Sequence, residues 1–451
     1  MGFDKSFVWG AATSAYQIEG AFSDDGKGAS IWDVYSHQPG KIVDGGSGDI
    51  ACDHYHRLEE DVRLMADLGI KGYRFSISWP RVLPRGVGPV NEAGLDFYEH
   101  LVDLLLQNGI EPYVTLYHWD LPYSLYLRGG WMNPDSPKWF AAYAQTVAKR
   151  LRGKVRSYIT LNEPQVFIGC AFQQGVHAPG ILMERRECLQ MAHNVLLAHG
   201  HAVQALRSVD SAVRIGYAPT SDAAIPASCS EADLAAAREL YFSVPGGNDW
   251  VWSTAWWSDP VFFGRYPADG LEALRADMPA IGADDMKIIA QPIDFYGQNV
   301  YRGYYVRRGE DGRPQKLEHP LGSARTTMDW TVTPDCLYWA VKMLYERYRK
   351  PICITENGMS GMDWVSLDGK VHDTARIDYL HRHLLGLRRA AEEGIALEGY
   401  FQWSLMDNFE WGQGYTKRFG LIYVDYETQR RIPKDSFDWY RQTIACNGAN
   451  L

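Results

Sequence analysis

Eight short runs of apolar, β-branched or aromatic residues recur along the chain, interleaved with stretches that carry apolar residues at helical spacing. The runs are Phe7–Ala12, Gly72–Ser78, Glu111–Tyr117, Ser157–Leu161, Arg214–Ala218, Phe295–Val300, Pro351–Thr355 and Leu397–Trp403. Their length suits buried strands better than helices. The stretches Asp53–Leu68 and Asn91–Asn108 read as amphipathic helices that stop at Gly69 and Gly109. Ser136–Leu151, Arg186–Ser208, Thr333–Tyr348 and Ala375–Glu393 follow the same pattern. Strands alternating with helices build parallel sheets, so the fold class is α/β. Eight in series predict a closed (β/α)8 TIM barrel rather than an open sheet. An open doubly wound sheet satisfies the same count, but no Gly-x-Gly-x-x-Gly follows the first run, and a dinucleotide fold has no support.

A chain of 451 residues is long for one domain. A barrel with extended βα loops can exceed about 400 residues in one unit, and no boundary is visible. Residues 1–451 are therefore expected to form a single barrel domain. The polar stretch Tyr304–Thr327 reads as a long loop or excursion after the sixth strand.

The net charge is −10 and no basic cluster occurs, which argues against nucleic acid as a partner. No apolar run approaches the roughly 18 residues of a membrane span. Gly2 and Ser6 superficially match a myristoylation pattern, but Phe7–Gly10 already reads as strand. No signal peptide is visible, and a cytoplasmic enzyme is the default expectation, although removal of a leader would leave the same sequence. The seven cysteines are odd in number and show no metal-binding spacing, so free thiols are expected. His54 and His56 are close together but lack a third ligand, and no metal or cofactor is predicted. The 16 tryptophans and 27 tyrosines suit either a large aromatic core or a sugar-stacking surface.

Two glutamates stand out. Glu163 lies in Thr160-Leu161-Asn162-Glu163-Pro164 and Glu356 in Ile354-Thr355-Glu356-Asn357-Gly358. Each ends a predicted strand and stands just before a chain-breaking residue. A barrel keeps its chemistry at the C-terminal ends of its strands. Two carboxyl groups brought together there are what glycoside hydrolysis requires. One must hold a proton while the other stays ionised. Sequence neighbours do not decide which is which. Arg74 lies inside the second apolar run, where an unpaired charge is costly, so it needs a carboxylate partner.

The ordered motifs resemble glycoside hydrolase family 1, the β-glucosidase family. The likeness runs from Phe7-Val8-Trp9-Gly10 to Lys434-Asp435-Ser436. It implies Glu163 as acid/base and Glu356 as nucleophile of a retaining enzyme, with carboxyl groups about 5 Å apart. It implies Arg74 and Tyr301 beside the nucleophile and Asn162 on the sugar 2-hydroxyl. It assigns Gln17, His118, Glu410 and Trp411 to the remote hydroxyls and Trp403 to the ring face. Trp119 and Asn299 are expected in the same pocket, and Trp330 at its mouth.

Glu410 carries the specificity argument. Relatives that cleave 6-phosphorylated glycosides have serine there, with a lysine and a tyrosine gripping the phosphate. Here Lys417 is present, as in non-phosphate members, and Phe419 fills the tyrosine position. A glutamate would repel a phosphate dianion in a low-dielectric pocket. An unphosphorylated β-glycoside is the expected small-molecule substrate, with glucose favoured and galactose or fucose as alternatives. Thioglucoside-cleaving relatives have glutamine in place of the acid, whereas this chain keeps Glu163. Gln165 stands where many members have tryptophan, and Cys170 follows on the same loop. A transglycosidase and a silent carbohydrate-binding barrel are the rival readings, and the oligomeric state is open.

Overall fold

The structure is a computed structural model describing residues 3–451, so the Gly2 pattern lies outside the described residues. Eight parallel strands close into a barrel in sequence order. They are β1 (Val8–Ala12), β2 (Gly72–Ser76), β3 (Glu111–Tyr117) and β4 (Ser157–Asn162), then β5 (Arg214–Ala218), β6 (Phe295–Asn299), β7 (Ile352–Asn357) and β8 (Leu397–Trp403). The expected TIM barrel is present. Strands buried on both faces read as continuous apolar runs, which is why the sequence exposed them. Side chains alternate between two cores. Tyr113, Ile159, Phe295, Cys353 and Phe401 form a cluster separate from the much larger one to which Val114, Tyr158, Tyr296 and Ile354 belong.

The predicted helices are found at Leu58–Leu68, Glu92–Gln107, Ser136–Arg150, Arg185–Val209, Cys336–Tyr348 and Thr374–Glu392. The first begins later than the periodicity predicts. His54 precedes it and is buried against Asp61, which also binds Arg431 at 2.8 Å. His54 is thus tied into a structural ion pair, and no group of three or more metal-ligating side chains occurs among the described residues. No described helix is long and apolar enough to cross a membrane.

The stretch Tyr304–Thr327 is not simply a loop. Strands Gly303–Arg308 and Pro314–Lys316 join Ala223–Pro226 in a separate three-stranded sheet. Polar residues hide this sheet from a hydrophobicity reading, because only part of it is buried.

The ladder is irregular where chemistry is expected. Register shifts fall between Ile159 and Asn162 on β4, and between Ile354 and Glu356 on β7. Such irregularities re-aim side chains and often lie beside active sites. Here they immediately precede the two glutamates.

Candidate active site

Glu163 and Glu356 are both buried, at 7% and 3% exposure, and both line a cavity of about 1320 Å³. Glu163 follows β4 and has φ 47°, in the left-handed region that non-glycine residues avoid. Its backbone N–H donates to Ala218 O at 2.8 Å, and Pro164 starts a short helix directly after it. Trp119 and Trp411 also have positive φ, at 82° and 49°. Strained backbone of this kind collects at functional sites.

The two carboxyl groups have different surroundings. Arg74 Nη1 donates to Glu356 Oε1 at 2.5 Å, and Tyr301 Oη donates to Glu356 Oε2 at 2.6 Å. Each Glu356 oxygen therefore has a strong donor, one of them charged. The isolated charge in β2 has found its carboxylate. Among the described residues Glu163 has no cation within bonding distance, and it accepts from Asn299 Nδ2 at 2.8 Å. Burial first, then the charge of Glu356, push its carboxyl up to about 8. Near neutral pH Glu163 therefore carries a proton.

This arrangement costs stability. Between its ordinary 4.5 and about 8, folded Glu163 keeps a proton that the unfolded chain releases. Folded protein then binds more protons than unfolded, so stability falls as pH rises through that window. Glu163→Gln is expected to raise the melting temperature at pH 8 by about 2–4 °C and leave it unchanged at pH 4. Thermal scans at the two pH values check this, and an equal shift at both would contradict it.

A hydrogen-bonded relay links the pair. Asn162 Oδ1 accepts from Arg74 Nη2 at 2.6 Å and from Asn299 Nδ2 at 3.0 Å. Its oxygen is thus used, and Nδ2 donates to His118 Nε2 at 3.1 Å. Burial drives the His118 pKa far down, so the ring is neutral and its proton sits on Nδ1. That buried Nδ1–H has no partner among the described residues and is left as a donor at the cavity wall.

Asn299 differs from expectation. Its Nδ2 serves Asn162 and Glu163, and its Oδ1 accepts from Thr355 Oγ1 at 2.6 Å. With both ends of the amide engaged, it positions Glu163 from behind the cavity wall. Thr355 and Thr115, which accepts from Arg74 Nε at 3.1 Å, belong to the same support and were not singled out in the sequence. The available signal was a hydroxyl inside an apolar strand.

The remaining pocket residues gather around these groups. Trp403 and His118 stack with ring centres 5.8 Å apart, and Trp119 and Trp411 lie 4.5 Å apart. Trp119 Nε1 donates to Asn162 O at 3.0 Å. Gly358 lets β7 pass Trp403, since a Cβ there would stand 1.8 Å from Trp403 O. Gln17 Nε2 donates to Asn408 Oδ1 at 3.0 Å and Phe409 O at 2.9 Å, with Glu410 Oε2 further away at 3.4 Å. Gln17 thus fixes the loop that carries Glu410.

Residues 1–449 match the family described as Glycosyl hydrolase family 1. The chain belongs to that family. It is 45% identical to Beta-glucosidase A of Acetivibrio thermocellus over 99% of each chain. It is 44% identical to a 1,4-beta-D-glucan glucohydrolase of Thermotoga neapolitana, again over 99% of both. A solved β-glucosidase from Thermotoga maritima in complex with glucoimidazole superposes with a TM-score of 0.91 at 44% identity, covering 99% of each chain.

The mouth of this family 1 enzyme has its own features. Trp330 follows Asp329, whose φ is 61°, and packs 5.2 Å from the Tyr301 ring. Arg302 lies over Trp330 with its guanidinium 5.5 Å from the ring centre. Gln165 is fully buried and donates to Thr220 O at 2.9 Å, whereas Val166 and Cys170 line the cavity. Burial pushes the Cys170 thiol up to about 12, so it is a packing group there.

The electrostatic argument at Glu410 needs correction. Burial first, then Glu356, push the Glu410 carboxyl up to about 8, so near pH 7 it is mostly neutral. Repulsion of phosphate by a full negative charge is therefore not its main effect. Lys417, the nearest candidate for a phosphate grip, donates its Nζ to Thr327 O at 2.8 Å, and Phe419 lines the cavity. What argues against phosphate is the apolar wall at Phe419, since one bond to Thr327 leaves Lys417 two further N–H donors.

Proposed function

We propose that the protein is a retaining, exo-acting β-glucosidase that removes terminal non-reducing β-D-glucosyl residues from cello-oligosaccharides and aryl or alkyl β-glucosides. The observation that carries this reading is the unequal pairing of two buried carboxyl groups, Glu356 with Arg74 and Tyr301, Glu163 with Asn299. Glu356 acts as nucleophile on the anomeric carbon, with Arg74 as counter-ion and Tyr301 fixing its second oxygen. Glu163 gives its proton to the departing glycosidic oxygen. Asn162 has one amide hydrogen beyond the one given to His118, and that hydrogen serves the sugar 2-hydroxyl. Trp403 supports the ring face, while His118 Nδ1–H and Glu410 meet the remote hydroxyls.

The second step reverses the proton flow. Once Glu356 is esterified its charge is gone, and the Coulomb push on Glu163 goes with it. The Glu163 pKa then drops, and Glu163 takes a proton from the incoming water. The same geometry serves transfer to a sugar hydroxyl, but nothing in the pocket favours that outcome over hydrolysis.

Initial rates on 4-nitrophenyl β-D-glucoside, its 6-phosphate and the corresponding galactoside and fucoside test the glycone assignment. The unphosphorylated glucoside is expected to have the highest kcat/KM. Preference for the 6-phosphate would overturn the reading of Glu410, Lys417 and Phe419.

A further inference from the structure

The cavity extends well past the bond-cleaving pair, and Trp252 lies on its wall. This tryptophan is 38% exposed, and among the described residues its ring faces no other aromatic ring and its indole N–H meets no acceptor. Its position is nevertheless fixed. It ends the short helix Asp249–Trp252, and Ser253 caps the next helix by accepting from Trp256 N at 3.3 Å. Trp252 also rests on Gly169, where a Cβ would stand 3.0 Å from Trp252 Cζ2.

Gly169 belongs to the helical segment that Pro164 starts directly after Glu163. Six residues of helix rise about 9 Å, which sets Trp252 away from the bond-cleaving pair, on the side of Glu163. Nearer the pair the cavity is lined by Trp330, which packs on Tyr301 and lies under Arg302, itself paired with Asp222 at 2.9 Å. Asp222, Arg302 and Thr254 share the cavity with Trp252. An aromatic face flanked by charged and hydroxyl groups matches a pyranose, which has an apolar C–H face and a polar rim.

Resting on the β-glucosidase reading above, we infer that Trp252 is the platform of a distal subsite for the third glucosyl unit of a β-glucan oligosaccharide. Trp252 is then a chain-length determinant and touches neither the glucose being released nor the reacting atoms.

The test compares 4-nitrophenyl β-D-glucoside, cellobiose, cellotriose and octyl β-glucoside on wild type, Trp252→Ala and Trp252→Phe. In wild type, kcat/KM is expected to rise about three- to tenfold from cellobiose to cellotriose. Trp252→Ala should abolish that rise through KM, leaving the nitrophenyl glucoside and cellobiose within about twofold. Trp252→Phe should restore most of it. Calorimetric binding to Glu356→Gln protein gives a readout with Trp252 intact, and cellotriose should bind more tightly than cellobiose. Equal cellobiose and cellotriose values, with the nitrophenyl glucoside still turned over, would overturn the subsite and leave the β-glucosidase reading standing. A larger loss on octyl β-glucoside than on cellotriose would also overturn it, as the mark of a merely apolar wall. No turnover of any glucoside by wild type would overturn both.

Discussion

Glu356→Gln is expected to lower kcat on 4-nitrophenyl β-D-glucoside by on the order of 10⁴-fold or more. The substitution keeps the side chain's volume and leaves a carbonyl oxygen for Arg74 or Tyr301, which reach Glu356 at 2.5 and 2.6 Å. It removes the charge and the nucleophilic oxygen. No glycosyl ester can form, so the pre-steady-state burst of nitrophenolate should vanish along with turnover. The change also reaches Glu163. The charge of Glu356 is the second cause, after burial, of the raised Glu163 pKa. Neutralising it should shift the Glu163 titration downward. Arg74, meanwhile, is left as a buried guanidinium without a counter-ion, a situation that costs about 3–5 kcal/mol when a buried pair is broken. The variant should therefore melt at a lower temperature yet still bind glucose. Stopped-flow nitrophenolate release and calorimetric glucose binding check both halves. A wild-type burst in the variant would remove Glu356 as the nucleophile.

The barrel was legible because its strands are buried on both faces. Glu111–Tyr117, Arg214–Ala218 and Leu397–Trp403 are observed with the ends predicted for them. The strands whose ends moved include those that carry the site. β4 runs on through Asn162, and β7 through Glu356 and Asn357, because Arg74 holds Asn162 and Glu356 while Asn357 donates to Val300 O. Hydrophobicity cannot see an element whose last residues are polar but internally paired. Arg74 was the one support residue readable from physics alone, since a charge in an apolar strand demands a partner. Tyr301 and Trp330 came only from resemblance. The role of Asn299 was not legible, because it depends on partners 137, 136 and 56 positions away. The same is true of the Glu410 protonation state, which is set by burial that no local window shows. The three-stranded sheet escaped for a third reason. Its strand Pro314–Lys316 is polar and surface-lying, and only pairing with Gly303–Arg308 makes it a strand.

The other large effect is expected at Glu163, where the loss should depend on the leaving group. Glu163→Ala should cut kcat/KM on methyl or octyl β-glucoside by about 10³-fold, within the usual range for removing a general acid. On 2,4-dinitrophenyl β-glucoside the loss in kcat/KM should be less than about tenfold, because that phenolate leaves without protonation. kcat on the activated substrate should fall further than kcat/KM, since hydrolysis of the ester still needs a base and becomes rate-limiting. The pH profile gives an independent readout. Wild-type kcat/KM should fall as pH rises through about 8, where the protonated form of Glu163 is lost. The limb belongs to the linked pair rather than to one side chain, since each charge shifts the other. In Glu163→Ala the limb should shrink, for the dinitrophenyl substrate, to what the Glu410 carboxyl contributes, since burial also pushes that group up to about 8. A protonated Asn299-bound carboxyl elsewhere cannot replace it, because Asn299 Nδ2 reaches only Glu163 and Asn162. Equal losses on alkyl and dinitrophenyl glucosides, with the limb intact, would show that the acid is some other group. A leaving-group-dependent loss together with a diminished limb would tie the proton donated in the first step to the carboxyl that burial and Glu356 keep protonated.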